Sequence, residues 1–161
     1  IRPDRLANDD SLVNDTLKYM IANINKDLKI EVPEIIILQP TSPLRTYIDI
    51  DNAIDLYKSK NADSVVSYTP CERPIEWNRY LSNENKIEPK QNETLSNRQS
   101  KMQSFYPNGA VYIIKSELIM AGKWYSEKSY AYIMPRNRSV DIDSMEDFEY
   151  AEFLQKKIIN I

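Results

Sequence analysis

The stretch "IIILQPTSPLR", Ile35 to Arg45, decides how the rest of the chain is read. Its aliphatic half has the character of a buried strand. Pro40 and Pro43 then forbid both more strand and an ordinary helix interior. Gln39, Thr41 and Ser42 gather an amide and two hydroxyls around these prolines, and Arg45 closes the run. Two readings follow. The segment is a rigid wall of polar groups held at a strand end for a ligand, or it is a strand-to-helix turn with Ser42 as cap and Pro43 in the first helical turn.

Working outward, the spacing of Val13, Leu17, Ile21, Ile24 and Leu28 predicts a helix over Ser11 to Leu28, and Glu34 to Leu38 is the buried strand. A second helix is expected from Leu44 or Thr46 to Ser59, with Ile50, Ile54 and Tyr57 inward. "ADSVVSYTP" gives a strand from Ser64 to Thr69. From Pro70 to Tyr106 the chain turns polar, and Trp77–Leu81 can pair with Lys86–Glu88 across "SNEN". This stretch reads as an excursion from the sheet. Beyond it come a turn and strand at "NGAVYIIK", a short helix at "ELIMAGKW" and a strand from Tyr130 to Met134. "SVDIDS" is expected as a short strand leading into a helix capped by Ser144, with Asp147 at the matching position and Met145, Phe148, Ala151, Leu154 and Ile158 on its buried face. The order of elements predicts an α/β layer fold, in which ligands sit outside the carboxyl ends of the strands. "QPTSPLR" and "DID" both fall at such ends.

The 161 residues amount to one domain, and a 28% charged, 42% hydrophobic composition fits a globular chain. A net charge of −3 without a basic block gives no reason to expect a nucleic-acid partner. No aliphatic run approaches the ~20 residues of a membrane span. The single cysteine, Cys71, suits a reducing compartment such as the cytoplasm. Without histidine, His-based triads and His-ligated metals are excluded, and any metal needs oxygen ligands, which favours Mg²⁺.

Asp141 and Asp143 flank Ile142. In an extended strand they project to one side, and two carboxylates so close stay ionised beside a cation. The pair is a metal site or a solvated strand end. Asn108-Gly109 is a tight turn or a place where the backbone approaches a ligand. Arg98 can hold a carboxylate or stand in solvent. Tyr112 fits core packing as well as a site.

"RPDRLANDD", "LQPTSPLR", "DSVVSYTP", "RQSKMQSFYPNGAVYI" and "YIMPRNRSVDIDSMEDFEYAE" occur in the order found in bacterial acylneuraminate cytidylyltransferases, the CMP-sialic acid synthetases and their relatives. The resemblance covers essentially the whole chain. It implies a three-layer, Rossmann-like nucleotidyltransferase sheet in a single domain, with the Pro70 to Tyr106 excursion as a protruding dimerisation arm. It implies transfer of CMP from CTP to a sialic-type (nonulosonic) acid with Mg²⁺. Asp141 and Asp143 would hold the metal and carry catalysis. Gln39 would contact the sugar, and Arg98 its carboxylate. Gln99, Asn108, Gly109 and Tyr112 would line that pocket, with Arg2 and Asp9 beside the cytidine. A cytoplasmic homodimer is implied, with neither nucleic acid nor membrane as partner. The open alternatives are a nucleotidyltransferase for another sugar acid and a non-catalytic module that pairs with a longer subunit.

The family's glycine-rich Ala-Arg-Gly-Gly-Ser-Lys loop, which cradles the triphosphate, has no counterpart among these residues, whose only glycines are Gly109 and Gly122. The chain therefore reads as the latter two-thirds of a longer protein. Its sheet is expected to expose an unpaired edge, and CTP turnover by the chain alone to be nearly absent.

Overall fold

A computed structural model describes residues 3–8, 11–88 and 102–159. Its elements are α1 (Val13–Leu28), β1 (Glu34–Ile37), α2 (Tyr47–Lys60), β2 (Ser64–Pro70), β3 (Phe105–Lys115), α3 (Ser116–Met120), β4 (Ser129–Ile133) and α4 (Met145–Ile159). The four strands form one mixed sheet in the order β1-β3-β2-β4. β3 runs antiparallel to both β1 and β2, while β2 and β4 are parallel.

Side-chain alternation along β3 divides the core into two. Val111 and Ile113 face α2, where they join Ala53, Ala62, Val65 and Met134, with Ile50, Ile54 and Tyr57 packed against them. Tyr112 and Ile114 face the other way, toward Ile21 of α1 and Ile119 of α3, with Leu17, Ile35, Ile37 and Trp124 alongside. Helices thus cover both faces, as the expected α/β layering requires. β1 has no partner on its outer side among the described residues, and Ile36 remains 44% exposed there.

Several local expectations are corrected. Ser42 caps nothing. It is fully buried, and α2 begins at Tyr47 under a capping box in which Thr46 and Asp49 satisfy each other's backbone N–H groups. Asn108-Gly109 is no chain-reversing turn, because β3 runs through both residues. The segment 139–144 is not a strand; hydrogen bonds to other elements hold it in place of a ladder. α1 starts two residues later than Ser11, and Val13 and Leu28 on its apolar stripe are exposed. On α4 Ala151 is buried, but Met145 and Phe148 are exposed. Within the excursion the hairpin shrinks to one bridge, Leu81 to Ile87, supported by bonds between Ser82 and Lys86 and between Glu88 and Tyr80. Among the described residues no helix is long and apolar enough to cross a membrane.

Candidate functional site

The site begins with a fault in the β2–β3 ladder. Val66 pairs with Tyr112 and Tyr68 with Pro107, so Ser67 alone faces the stretch Asn108 to Val111. A bulge of this kind leaves backbone groups unpaired and re-aims the strand. Side chains satisfy those groups here. The Ser67 hydroxyl donates to Asn108 Oδ1 at 2.6 Å and accepts from the Val111 N–H at 2.7 Å. Asn108 Oδ1 also accepts from the Ala110 N–H, and its Nδ2 donates to Ser139 Oγ at 2.8 Å and reaches Met134 Sδ. Asn108 is 2% exposed, so its whole amide is committed to the fold. Gly109, next in line, takes φ +75°, a conformation glycine adopts without a Cβ penalty.

The turn after β1 lies against this bulge. Arg45 Nη1 donates to the carbonyls of Gln39 at 3.2 Å and Ala110 at 2.7 Å. Ser42 Oγ donates to the Asn108 carbonyl, and the Ser42 N–H to the Gln39 carbonyl. The turn is therefore rigid, as the prolines suggested, and Arg45 is spent on bracing it.

A third segment, 135–144 after β4, closes the arrangement. The Arg138 guanidinium donates through Nε at 3.1 Å and Nη2 at 2.8 Å to the buried Asp49 carboxylate. Ser139 accepts from Asn108 and donates to the Pro135 carbonyl. The Ile142 N–H bonds the Thr41 carbonyl at 2.9 Å. Between these anchors Asp141 leans over Gly109. A Cβ built on Gly109 would lie 2.5 Å from Gln39 Oε1 and 3.1 Å from both Asp141 Oδ2 and Ser42 Oγ. The other Asp141 oxygen, Oδ1, is buried and has no hydrogen-bond partner among the described residues. A buried carboxylate oxygen left bare is costly, so this atom fits a cation ligand.

Asp143 is exposed, and with Asp141, Tyr106, Asn108, Arg136 and Asp147 it borders an open cleft of about 650 Å³. Among the described residues no three His, Cys, Asp or Glu side chains gather as a metal cage. Asp141 and Asp143 are the carboxylates that could hold a Mg²⁺-like ion, which takes one or two such ligands and completes its shell with other oxygens. Tyr112 stacks edge-on against Trp124, centroids 5.6 Å apart. Burial first, then the charge of Asp141 and the neighbouring Tyr68, push its hydroxyl pKa up. A separate cleft of about 560 Å³, bordered by Ile21, Pro33, Lys115 and Met120, contains none of these groups.

Of the residues expected from sequence, Gln39, Gly109 and Asp141 meet at one point. Asn108 underlies them, Asp143 shares the cleft, and Tyr112 lies within electrostatic reach of Asp141. Arg2, Asp9, Arg98 and Gln99 lie outside the described residues. Sequence reading missed Ser67, Ser139 and the Asp49–Arg138 pair. The Thr46-x-x-Asp49 spacing was a legible helix start, and Ser67 inside an apolar strand was a polar group in need of a partner.

No family model matches the chain. It is 31% identical over 150 residues to an N-acylneuraminate cytidylyltransferase of Streptococcus agalactiae serotype V, covering 92% of this chain and 35% of that protein. An N-acylneuraminate cytidylyltransferase of Escherichia coli O18:K1:H7 is 28% identical over 98% of this chain and 37% of its own length. A CMP-N,N'-diacetyllegionaminic acid synthase of Legionella pneumophila is 27% identical over 97% of this chain and 68% of its own length. The chain thus spans about a third of the length of the first two relatives. It is similar to the acylneuraminate cytidylyltransferases across nearly all its residues, as its motifs indicated.

Proposed function

We propose that this chain carries the metal- and sugar-facing part of a cytidylyltransferase site, which transfers CMP from CTP to a nonulosonic acid and releases pyrophosphate. The observation that carries this reading is the meeting of Gln39, Ser42 and Asp141 over the bare Gly109 backbone, with one Asp141 oxygen buried and unpartnered among the described residues. The names of the relatives support the chemistry, since each is named for a CMP-sugar acid or for a cytidylyltransferase.

In this reading Asp141 and Asp143 hold Mg²⁺. When bound, the ion supplies charge screening and polarisation at the phosphates of CTP. The sugar's anomeric hydroxyl oxygen forms the new bond to the α-phosphorus. The bond from that phosphorus to the bridging oxygen breaks, pyrophosphate leaves, and the hydroxyl proton passes to solvent. Gln39 orients the sugar with an amide that can donate and accept. Gly109 leaves the space a side chain would fill. Arg98 pairs the sugar carboxylate, Gln99 and Tyr112 line its pocket, and Arg2 and Asp9 serve the cytidine. Asn108 acts from beneath, by fixing the bulge that presents Gly109. Such catalysis is positioning and electrostatics, and suits a site assembled from braced loops.

The second reading concerns the substrate. Relatives named for sialic and for legionaminic acid lie at similar identity, so the acceptor is assigned only as a nonulosonic acid. A homodimer is part of the proposal. Ile75, Trp77, Tyr80, Leu81 and Ile87 are all exposed on the excursion, a surface suited to a second copy.

A panel of sugar acids assayed with CTP, UTP and GTP tests this. Pyrophosphate release with CTP and a nonulosonic acid, lost in Asp141→Ala, is the expected result in a protein that also supplies a triphosphate loop. Equal turnover by Asp141→Ala, or preference for another nucleotide, contradicts it.

A further inference from the structure

Asp49 lies in the first turn of α2, on a different element from every residue assigned above to metal or sugar. It is nonetheless a fully buried carboxylate with five donors around it. Arg138 Nε and Nη2 bind it as a fork, Thr46 donates from its N–H at 2.9 Å and its hydroxyl at 2.8 Å, and the Tyr132 hydroxyl donates at 3.2 Å. The helix cap alone needs only Thr46. The remaining three donors come from β4 and the segment that follows it.

Beyond an exposed ion pair from Arg136 to Glu72, that segment is fastened at three points nearer Asp141: Arg138 to Asp49, Ser139 to Asn108, and Ile142 to Thr41. Asp141 hangs between the second and third. The last two fastenings are single neutral hydrogen bonds. The first is a bidentate, charge-assisted pair and the strongest of the set. Releasing it frees the chain three residues before Asp141, and frees the direction of its carboxylate over Gly109. Groups that orient metal ligands from behind matter nearly as much as the ligands.

We infer that Asp49 is a positioning residue: through Arg138 it sets where the Asp141 carboxylate stands, and so sets the affinity of the site for a divalent cation. This rests on the reading of Asp141 as a metal ligand.

The test is Mn²⁺ binding by the 161-residue chain with CTP present, read from the electron paramagnetic resonance signal of free Mn²⁺. Asp49→Asn and Arg138→Met are expected to weaken Mn²⁺ about tenfold to a hundredfold. Arg138→Lys keeps the charge and loses the fork, and is expected to recover part of that loss. Asp63→Asn breaks another ion pair, Asp63 with Lys115 at 2.7 Å, at the far end of β2 and β3, and is expected to leave Mn²⁺ affinity unchanged. Near-wild-type affinity in Asp49→Asn, or equal weakening in Asp63→Asn, overturns the inference. If Asp49→Asn does not fold, the order wild type, Arg138→Lys, Arg138→Met decides, and equal affinities overturn it. A wild type that binds no Mn²⁺ at all sinks the metal reading of Asp141 first, and this inference falls with it.

Discussion

Gly109 is needed for two separate reasons, its backbone angle and its lack of a side chain. At φ +75° an alanine costs about 1–2 kcal/mol, and its Cβ would collide with Gln39 Oε1 and crowd Asp141 and Ser42. Gly109→Ala is therefore expected to lower stability by about that much in urea unfolding and to abolish Mn²⁺ binding with CTP. Retained metal binding would show that the three groups do not work as one site. Asn108→Ala leaves Ser67 and Ser139 without their partner and is expected to cost about 1–3 kcal/mol. At this scale the sequence was partly legible. Asp141 stands out in the Asp-x-Asp pattern, although alternation along a strand is not how the fold places it. The role of Asn108 was hidden because its partners are 41 and 31 residues away, and no local pattern announces such pairings.

The elements were legible where local chemistry decides them. Both prolines stiffen the turn after β1, and Ser144 with Asp147 forms the start of α4 as the spacing indicated. The cap of α2 was misassigned to Ser42, because Pro43 imitates a first helical turn; of the two starts expected, Leu44 and Thr46, the second is the one the Thr46–Asp49 box fixes. Thr46→Ala is expected to destabilise by about 0.5–2 kcal/mol in urea. Asp49 adds a pH signature. Burial pushes its carboxyl pKa up, but hydrogen bonds from Arg138 and Thr46 outweigh burial, and the net shift is downward. A depressed carboxyl contributes its full stability above the ordinary carboxylate range, about pH 4, and loses it as pH falls through the lower folded value. The urea midpoint is thus expected to fall on acidification below about pH 4, and to fall less in Asp49→Asn, which has no carboxyl there to protonate. An identical acid slope in the two proteins would remove Asp49 from that role.

For the molecule as a whole, the α/β layering was readable from element order, while strand order was not. Nothing local says that β3 enters between β1 and β2 and runs antiparallel to both. Among the described residues β1 has no partner on its outer side, and Ile36 with the following Leu38 leaves apolar surface exposed there. Ile36→Lys is expected to suppress association beyond the proposed dimer in sedimentation velocity without loss of stability, since that side chain is already half in water. In the proposed reading Asp141, braced over Gly109, holds the divalent metal through which this part of the site meets CTP. Isothermal titration of CTP with Mg²⁺ into the folded chain, wild type beside Asp141→Ala and with EDTA as control, tests it most directly. Mg²⁺-dependent binding that Asp141→Ala weakens at least about tenfold is expected, since losing even a group that orients a ligand costs that much. Binding of equal strength in the two proteins, or none in a wild type shown to be folded, would contradict it.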